Sequence, residues 1–231
     1  MAAAHASETD SDTAPPGYTR QGECALLFDP NPDGALDLVL QQRLWSLADT
    51  LKADAAVREV VLGMNNVLVV WREPVAALGR EAERLDALWR DSTPREGAGR
   101  VVEVPVSYGG PEAEDLAHVA EHAGLSPRDY AERHAAGDYV VYALGSQPGF
   151  GYLGGLPPEL AVPRRRVPRP SVPSGAIMIG GGQAGIQSRT TPSGWHVIGM
   201  STLQCFDARA EPPVLLAPGD RVRFQIKEIR A

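Results

Sequence analysis

Between Gly145 and Asp220 the chain carries 24 of its 44 glycines and prolines. These are the two poorest helix formers, so this third of the sequence cannot fold as long helices. It is confined to short strands joined by many turns. The apolar runs between the punctuation fall at 176–179, 196–198, 203–206, 214–216 and 221–229. So many short strands predict a closed or nearly closed barrel.

The first half reads differently. Residues 25–28 form a short apolar run, then Leu36, Leu40, Leu44, Leu47 and Leu51 recur at the spacing of one helical face. The runs 56–62 and 67–71 flank a turn at 63–66, as in a hairpin. A second helix is expected to open at Pro74, with Val75, Leu78, Ala82, Leu85 and Leu88 on its apolar face. With a strand at 101–106, the order strand, helix, strand, strand, helix, strand is that of the split βαβ, or ferredoxin-like, unit. That last strand could instead begin the next domain, since the best linker lies just before it at 92–99. Helices at 112–122 and 127–135, the latter behind an N-cap Ser126, and a strand at 138–144 lead into the glycine-rich segment. The expectation is an α+β chain. It comprises a solvated tail at 1–17, a ferredoxin-like α/β domain at 18–99 and a β-barrel domain at 100–231.

A formal charge of −7 on 231 residues argues against nucleic acid or an anionic membrane surface as partner. No stretch of 18 apolar residues exists, and the N-terminus has neither the basic start nor the apolar core of a secretory leader. Cys24 and Cys205 lie far apart, which fits a reduced, cytoplasmic setting and excludes a cysteine-built zinc site. His118 and His122 are four apart on a helix but lack a third ligand, so no metal is expected.

Four segments can carry chemistry. The run 145–156 holds five glycines around Phe150 and Tyr152, a backbone that can approach a ligand closely; the plain alternative is a wide turn with an aromatic plug. Arg164, Arg165, Arg166 and Arg169 stand among four prolines. Their guanidinium groups suit carboxylate or phosphate, or they simply pair with the surplus acids. In 180–186 Gln183 can offer its amide to a carbonyl or carboxylate. In 191–196 Trp195 and His196 should point to opposite faces of a strand. His196 is the best acid–base candidate, because imidazole titrates near neutrality.

The motifs Pro-Gly-Phe-x-Tyr-Leu-Gly-Gly-Leu (148–156), Pro-Arg-Arg-x-x-Pro-Arg-x-x-Val-Pro-x-Gly (163–175), Gly-x-Gln-x-Gly-Ile (181–186), Pro-x-Gly-Trp-x-x-Ile-Gly (192–199) and Pro-Gly-Asp-x-Val-x-Phe (218–224) follow in order. Together they resemble the family that holds the B-type subunit of 5-oxoprolinase, the antikinase KipI and allophanate hydrolase subunit 1, and half of the urea carboxylase carboxyltransferase domain. The resemblance implies a small α/β domain and a cyclophilin-like barrel. It also implies work beside a homologous barrel subunit, like the C-type subunit of 5-oxoprolinase, in an assembly that cleaves 5-oxo-L-proline with ATP. ATP is expected at the level of that complex; biotin is the less favoured cofactor. The chain departs from the family pattern at Ser146, Gly151, Ala184, Gln187, Ser188 and Met200. Met200 stands where the family usually has arginine, which removes a cation.

The expected pocket gathers Gln147, Phe150, Tyr152, Arg164, Arg165, Trp195 and Met200 as substrate-binding residues, with His196 and Gln183 as catalytic ones. The first function reading is a subunit of an ATP-dependent lactam- or amide-cleaving enzyme acting on a small molecule. Two others stand beside it: a KipI-like inhibitor of a sensor histidine kinase, and a stand-alone enzyme using the pocket on a less polar substrate.

Overall fold

The computed structural model describes residues 17–95 and 99–230. The tail expected at 1–17 lies outside the described residues except for Gly17, as do residues 96–98 of the expected linker. The chain divides between residues 96 and 97 into two compact units.

The first unit is one antiparallel sheet covered by two helices. Its elements are β1 (Tyr18–Arg20), β2 (Ala25–Phe28), α1 (Leu38–Lys52), β3 (Val57–Leu62), β4 (Val67–Trp71) and α2 (Leu78–Asp91), with strand order β1-β2-β4-β3. Asp37 caps α1 by accepting from the Leu40 amide at 2.9 Å. Leu36 therefore precedes the helix and is exposed, while Leu44, Leu47 and Leu51 are buried against Leu26, Phe28, Val67 and Val69. The second helix begins four residues later than Pro74 because Val75 is still held to the first hairpin, its amide donating to the Glu23 carbonyl at 2.9 Å.

The sheet departs from the expected order at one place. The strand after α2 does not return to it; β1, which precedes β2, takes that edge instead. A buried polar side chain also interrupts the leucine face of α1. Gln41 accepts from the Asn65 amide at 2.6 Å and donates to the Gly63 carbonyl at 3.1 Å, fixing the 63–66 turn, where Asn65 has φ +60°.

The second unit is a closed barrel. It contains β5 (Val101–Gly109), α3 (Leu116–His122), α4 (Pro127–Ala135), β6 (Tyr139–Leu144), β7 (Gly151–Gly154), β8 (Arg169–Val172), β9 (Ala176–Gly180), β10 (Gln183–Ile186), β11 (Thr191–Ser193), β12 (His196–Met200) and β13 (Arg221–Arg230). Around the barrel the order is β10-β7-β6-β13-β5-β12-β9, and β8 with β11 forms a separate two-stranded sheet. All the barrel pairs are antiparallel except β5 with β13. Mixed α+β architecture with a closed seven-stranded barrel is thus the observed fold class.

Strand alternation sorts the side chains into two clusters. Ile177, Ile179, Ala184, Ile186 and Ile198 fill the barrel with Val104, Val141 and Leu153. Val172, Ala176, Met178, Trp195, Val197 and Phe150 form a second cluster on the other face. The runs at 203–206 and 214–216, expected as strands, meet only in a single bridge, Phe206 with Val214; Pro212 and Pro213 have no N–H for a longer ladder. Part of the segment 145–156 is strand rather than turn, and Gly155 ends it at φ +96°, where a Cβ would stand 2.0 Å from the Asp138 carbonyl oxygen. No helix among the described residues is long and apolar enough to cross a membrane.

Candidate functional site

The outer cluster of the barrel opens into a cleft of about 350 Å³. Its wall is aromatic: Phe150 meets Tyr152 edge-on at 4.9 Å between ring centroids and Trp195 at 5.8 Å. Two rings need room against β10, which Gly185 supplies, since a Cβ there would lie 2.9 Å from the Phe150 ring and 3.2 Å from Trp195.

Opposite the aromatics is a closed triangle of polar groups. Gln147 Nε2 donates to Gln187 Oε1 at 2.9 Å, Gln187 Nε2 to Thr191 Oγ1 at 2.8 Å, and Thr191 Oγ1 to Gln147 Oε1 at 3.1 Å. Each group orients the next, so both amides are held in one flip state; Gln187 Nε2 also reaches the Thr191 carbonyl at 3.5 Å.

The rim is the arginine strap. The Arg165 amide donates to the Gly194 carbonyl at 2.8 Å, tying the strap to the turn before Trp195. Arg164 is exposed, carries no ion pair among the described residues, and sits 5.4 Å from the Trp195 ring centroid. Arg165 and Arg169 instead converge on Asp115, a buried carboxylate just before α3. Arg165 Nη1 donates to it at 2.9 Å, Arg169 donates through both Nη atoms, and the Val197 amide donates at 2.7 Å. Burial alone would raise the Asp115 carboxyl; the His196 ring beside it and hydrogen bonds from Arg169 and the Val197 amide overcome it and hold the group well below the usual carboxylate range. Arg165 and Arg169 thus pair with acids, as one of the two sequence readings had it, and Arg165 lines the cleft as well.

Six expected site residues therefore come together in the cleft: Gln147, Phe150, Tyr152, Arg164, Arg165 and Trp195. Three do not. His196 follows Trp195 in β12 and turns to the opposite face. There its Nε2–H donates to the Pro163 carbonyl at 3.0 Å, its Nδ1 lies 3.9 Å from Asp115, and its ring packs on His118. It does not line the cleft; its nearest link to it is Asp115, which also holds Arg165. Gln183 stands two residues from Gly185 on β10, beyond the aromatic wall, and does not line the cleft. A bulge between Val197 and Gly199 resets the alternation of β12. Met200 consequently packs on the outer cluster but lines a different hollow, with Ser107, Glu112 and Arg230.

Of the departures from the family pattern, Ser146 and Gln187 line the cleft, whereas Ala184 lies in the barrel core and a Cβ on Gly151 would face Leu216, Leu153 and Val141. Sequence reasoning missed Asp115, Thr191 and the role of Gln187. Only the arginine surplus at 164–169 hinted that a buried acid must stand opposite.

The cleft offers cations, amide donors and acceptors, and a flat apolar wall. Among the described residues lining it there is no carboxylate, imidazole, thiol or amine. It can hold a small planar polar molecule bearing an anionic group, but the only hydroxyls it presents are those of Tyr152, Ser146 and Ser193.

The chain belongs to a known family: residues 16–216 match the one described as carboxyltransferase domain, subdomain C and D. Within that family its relatives include the B-type subunit of 5-oxoprolinase from Escherichia coli O157:H7, 44% identical over 203 residues that cover 88% of this chain and 92% of the relative. Among solved structures, the protein TTHA0988 is similar with a TM-score of 0.73 and 34% identity over 88% of this chain. The Kluyveromyces lactis urea amidolyase shares the fold, with a TM-score of 0.76 at 16% identity over 91% of this chain. The chain spans 40% of the TTHA0988 chain and 15% of the urea amidolyase chain.

Proposed function

We propose that the chain is the substrate-holding subunit of a 5-oxoprolinase-type complex, which cleaves 5-oxo-L-proline or a related lactam or amide with ATP. One observation carries this reading: the cleft is equipped to bind and not to react. Arg164 and Arg165 suit the carboxylate of such a substrate, the Gln147–Gln187–Thr191 triangle suits its amide, and the aromatic wall suits a small flat ring. The reactive groups and the ATP site then belong to partner subunits, of which a homologous barrel of the C type is the first expected. We read this chain's own barrel as cyclophilin-like in shape and its place of action as the cytoplasm.

In a reconstituted complex, Arg164→Ala should raise KM for 5-oxoproline about 10- to 100-fold, the worth of one hydrogen bond to a charged group, with kcat little changed. Arg164 is exposed and makes no ion pair among the described residues, so the variant should fold as the parent does. Steady-state kinetics check it; an unchanged KM, or turnover by the isolated chain without partners, contradicts the proposal. The same lack of reactive groups also favours a second reading, a binding module that blocks a sensor histidine kinase. Loss of kinase autophosphorylation on adding the chain, with no gain of lactam cleavage alongside partner subunits, would select it.

A further inference from the structure

The hairpin loop that joins β6 to β7 carries a residue in a conformation that the rest of the chain leaves to glycine. Among the described residues only two others have a left-handed φ, Asn65 at +60° and Ser146 at +62°. Asn65 is buried and hydrogen-bonded through both its backbone amide, to Gln41, and its side chain, to the Ala35 carbonyl. Its turn is explained by those bonds. Ser146 is exposed, and its hydroxyl has no hydrogen-bond partner among the described residues. The Gln147 amide donates to the Gly145 carbonyl at 2.6 Å, across Ser146 alone. Such a bond about a positive φ closes a γ-turn of the rare, strained kind. Two further backbone bonds hold the loop, from the Gly145 amide to the Phe150 carbonyl and from the Phe150 amide to the Gln147 carbonyl, both at 3.1 Å. Glycine takes a left-handed turn without strain, as Gly149 does in the same loop at φ +78°. A serine at 146 strains the backbone and contributes no side-chain bond to the fold.

Ser146 lines the barrel cleft beside Gln147. In the polar triangle there, Gln187 Nε2 donates to both the hydroxyl and the carbonyl of Thr191, and Gln147 Nε2 donates to Gln187. Each amide oxygen accepts one bond within the triangle and has two lone pairs. The triangle is left with more to accept than to donate, which matches the N–H of a lactam. A donor for the lactam carbonyl has to come from beside it. We infer that Ser146 is a specificity-determining residue of this cleft: its hydroxyl donates to the carbonyl of a lactam whose N–H meets the glutamine amides and whose carboxylate meets Arg164. The γ-turn fixes that hydroxyl in place before the ligand arrives. The inference rests on the reading of the cleft as the seat of a lactam or amide acid, and it names the residue that tells such a molecule from a plain ring carboxylate.

Calorimetry on the reconstituted complex without ATP is the test, with two probes of the same ring size: 5-oxo-L-proline, and cyclopentanecarboxylate, which keeps the carboxylate and lacks the amide. Ser146→Gly and Ser146→Ala should each weaken 5-oxoproline about fivefold, the worth of one neutral hydrogen bond, and leave cyclopentanecarboxylate unchanged. Arg164→Ala should weaken both probes. Because Ser146→Gly relaxes the turn, its melting temperature should be no lower than the parent's, so the lost affinity does not come from a damaged fold. The inference is overturned if the two Ser146 variants bind 5-oxoproline as the parent does, or if they weaken both probes alike. It is overturned too if only the glycine variant weakens binding, which traces the loss to a loosened loop. Where Arg164→Ala still weakens both probes, those results remove Ser146 alone and spare the reading of the cleft. If Arg164→Ala is also without effect, or neither probe binds, the reading of the cleft falls and this inference with it.

Discussion

Asp115→Ala should lower the unfolding free energy of the barrel unit by about 3 kcal/mol, the low end of the cost of breaking a buried ion pair from one side. The carboxylate is almost fully buried and answers four donors, from Arg165, Arg169 and the Val197 backbone. Its removal leaves an orphaned amide in β12 and the Arg165 guanidinium without its counter-charge, while Arg169 keeps only the exposed Glu114. The Arg165 and Arg169 side chains are 31% and 17% exposed, so each can turn partly to water, which keeps the loss from being larger. Because Arg165 lines the cleft, the variant should also lose affinity there. Asp115→Asn should fall between, since it keeps an acceptor for the Val197 amide. Urea unfolding at neutral pH measures the first effect; a loss below about 1 kcal/mol would mean the arginines do not depend on this carboxylate.

Acid should weaken the same unit through His134 well before its carboxylates titrate. His134 is fully buried on α4, shares a 2.8 Å hydrogen bond between Nδ1 and the Tyr108 hydroxyl, and packs on Phe224. Burial pushes its pKa down to about 3. An unfolded histidine titrates at about 6.5, so below that value the unfolded chain takes up a proton that the folded one refuses. Stability is therefore complete above pH 6.5 and falls by about 1.4 kcal/mol per pH unit towards pH 3, or ~2 kcal/mol by pH 5. His134→Leu loses the Tyr108 contact and starts less stable, so the informative quantity is the slope. Between pH 7 and 5 the variant should show a flatter dependence than the parent. Parallel slopes would show that His134 takes no part.

Much of this fold could be read from residue pattern. The strands 57–62 and 67–71 about an asparagine turn, the leucine face of α1 and the Ser126–Pro127 start of α4 all follow from local rules, and the structure places them there. What local rules could not supply depends on pairing between distant segments. Nothing in residues 18–20 announces that they displace the strand after α2 at the sheet edge. Nothing in Gly199 announces the bulge that turns Met200 onto the outer face, where it lines a hollow other than the cleft. The cleft itself was half legible: its aromatic and arginine walls were marked by composition and by family motifs. The buried Asp115 that pins the arginines is 50 residues from the first of the two it holds, and a lone aspartate ahead of a helix reads as surface. His196 was misplaced for a reason already available, since its neighbour Trp195 was expected on the other face.

The single parallel seam of the barrel, β5 against β13, joins residues about 120 positions apart, from Val101 with Arg221 onward. The first unit by contrast forms its hairpins between near neighbours. Closing so wide a loop is slow compared with zipping a hairpin. The helix-covered sheet should therefore be native within the refolding time in which the barrel is still an open sheet with its final stave unseated. Until that stave docks, the aromatic wall has no finished support, and any partner that needs the cleft must wait for the slowest contact in the chain.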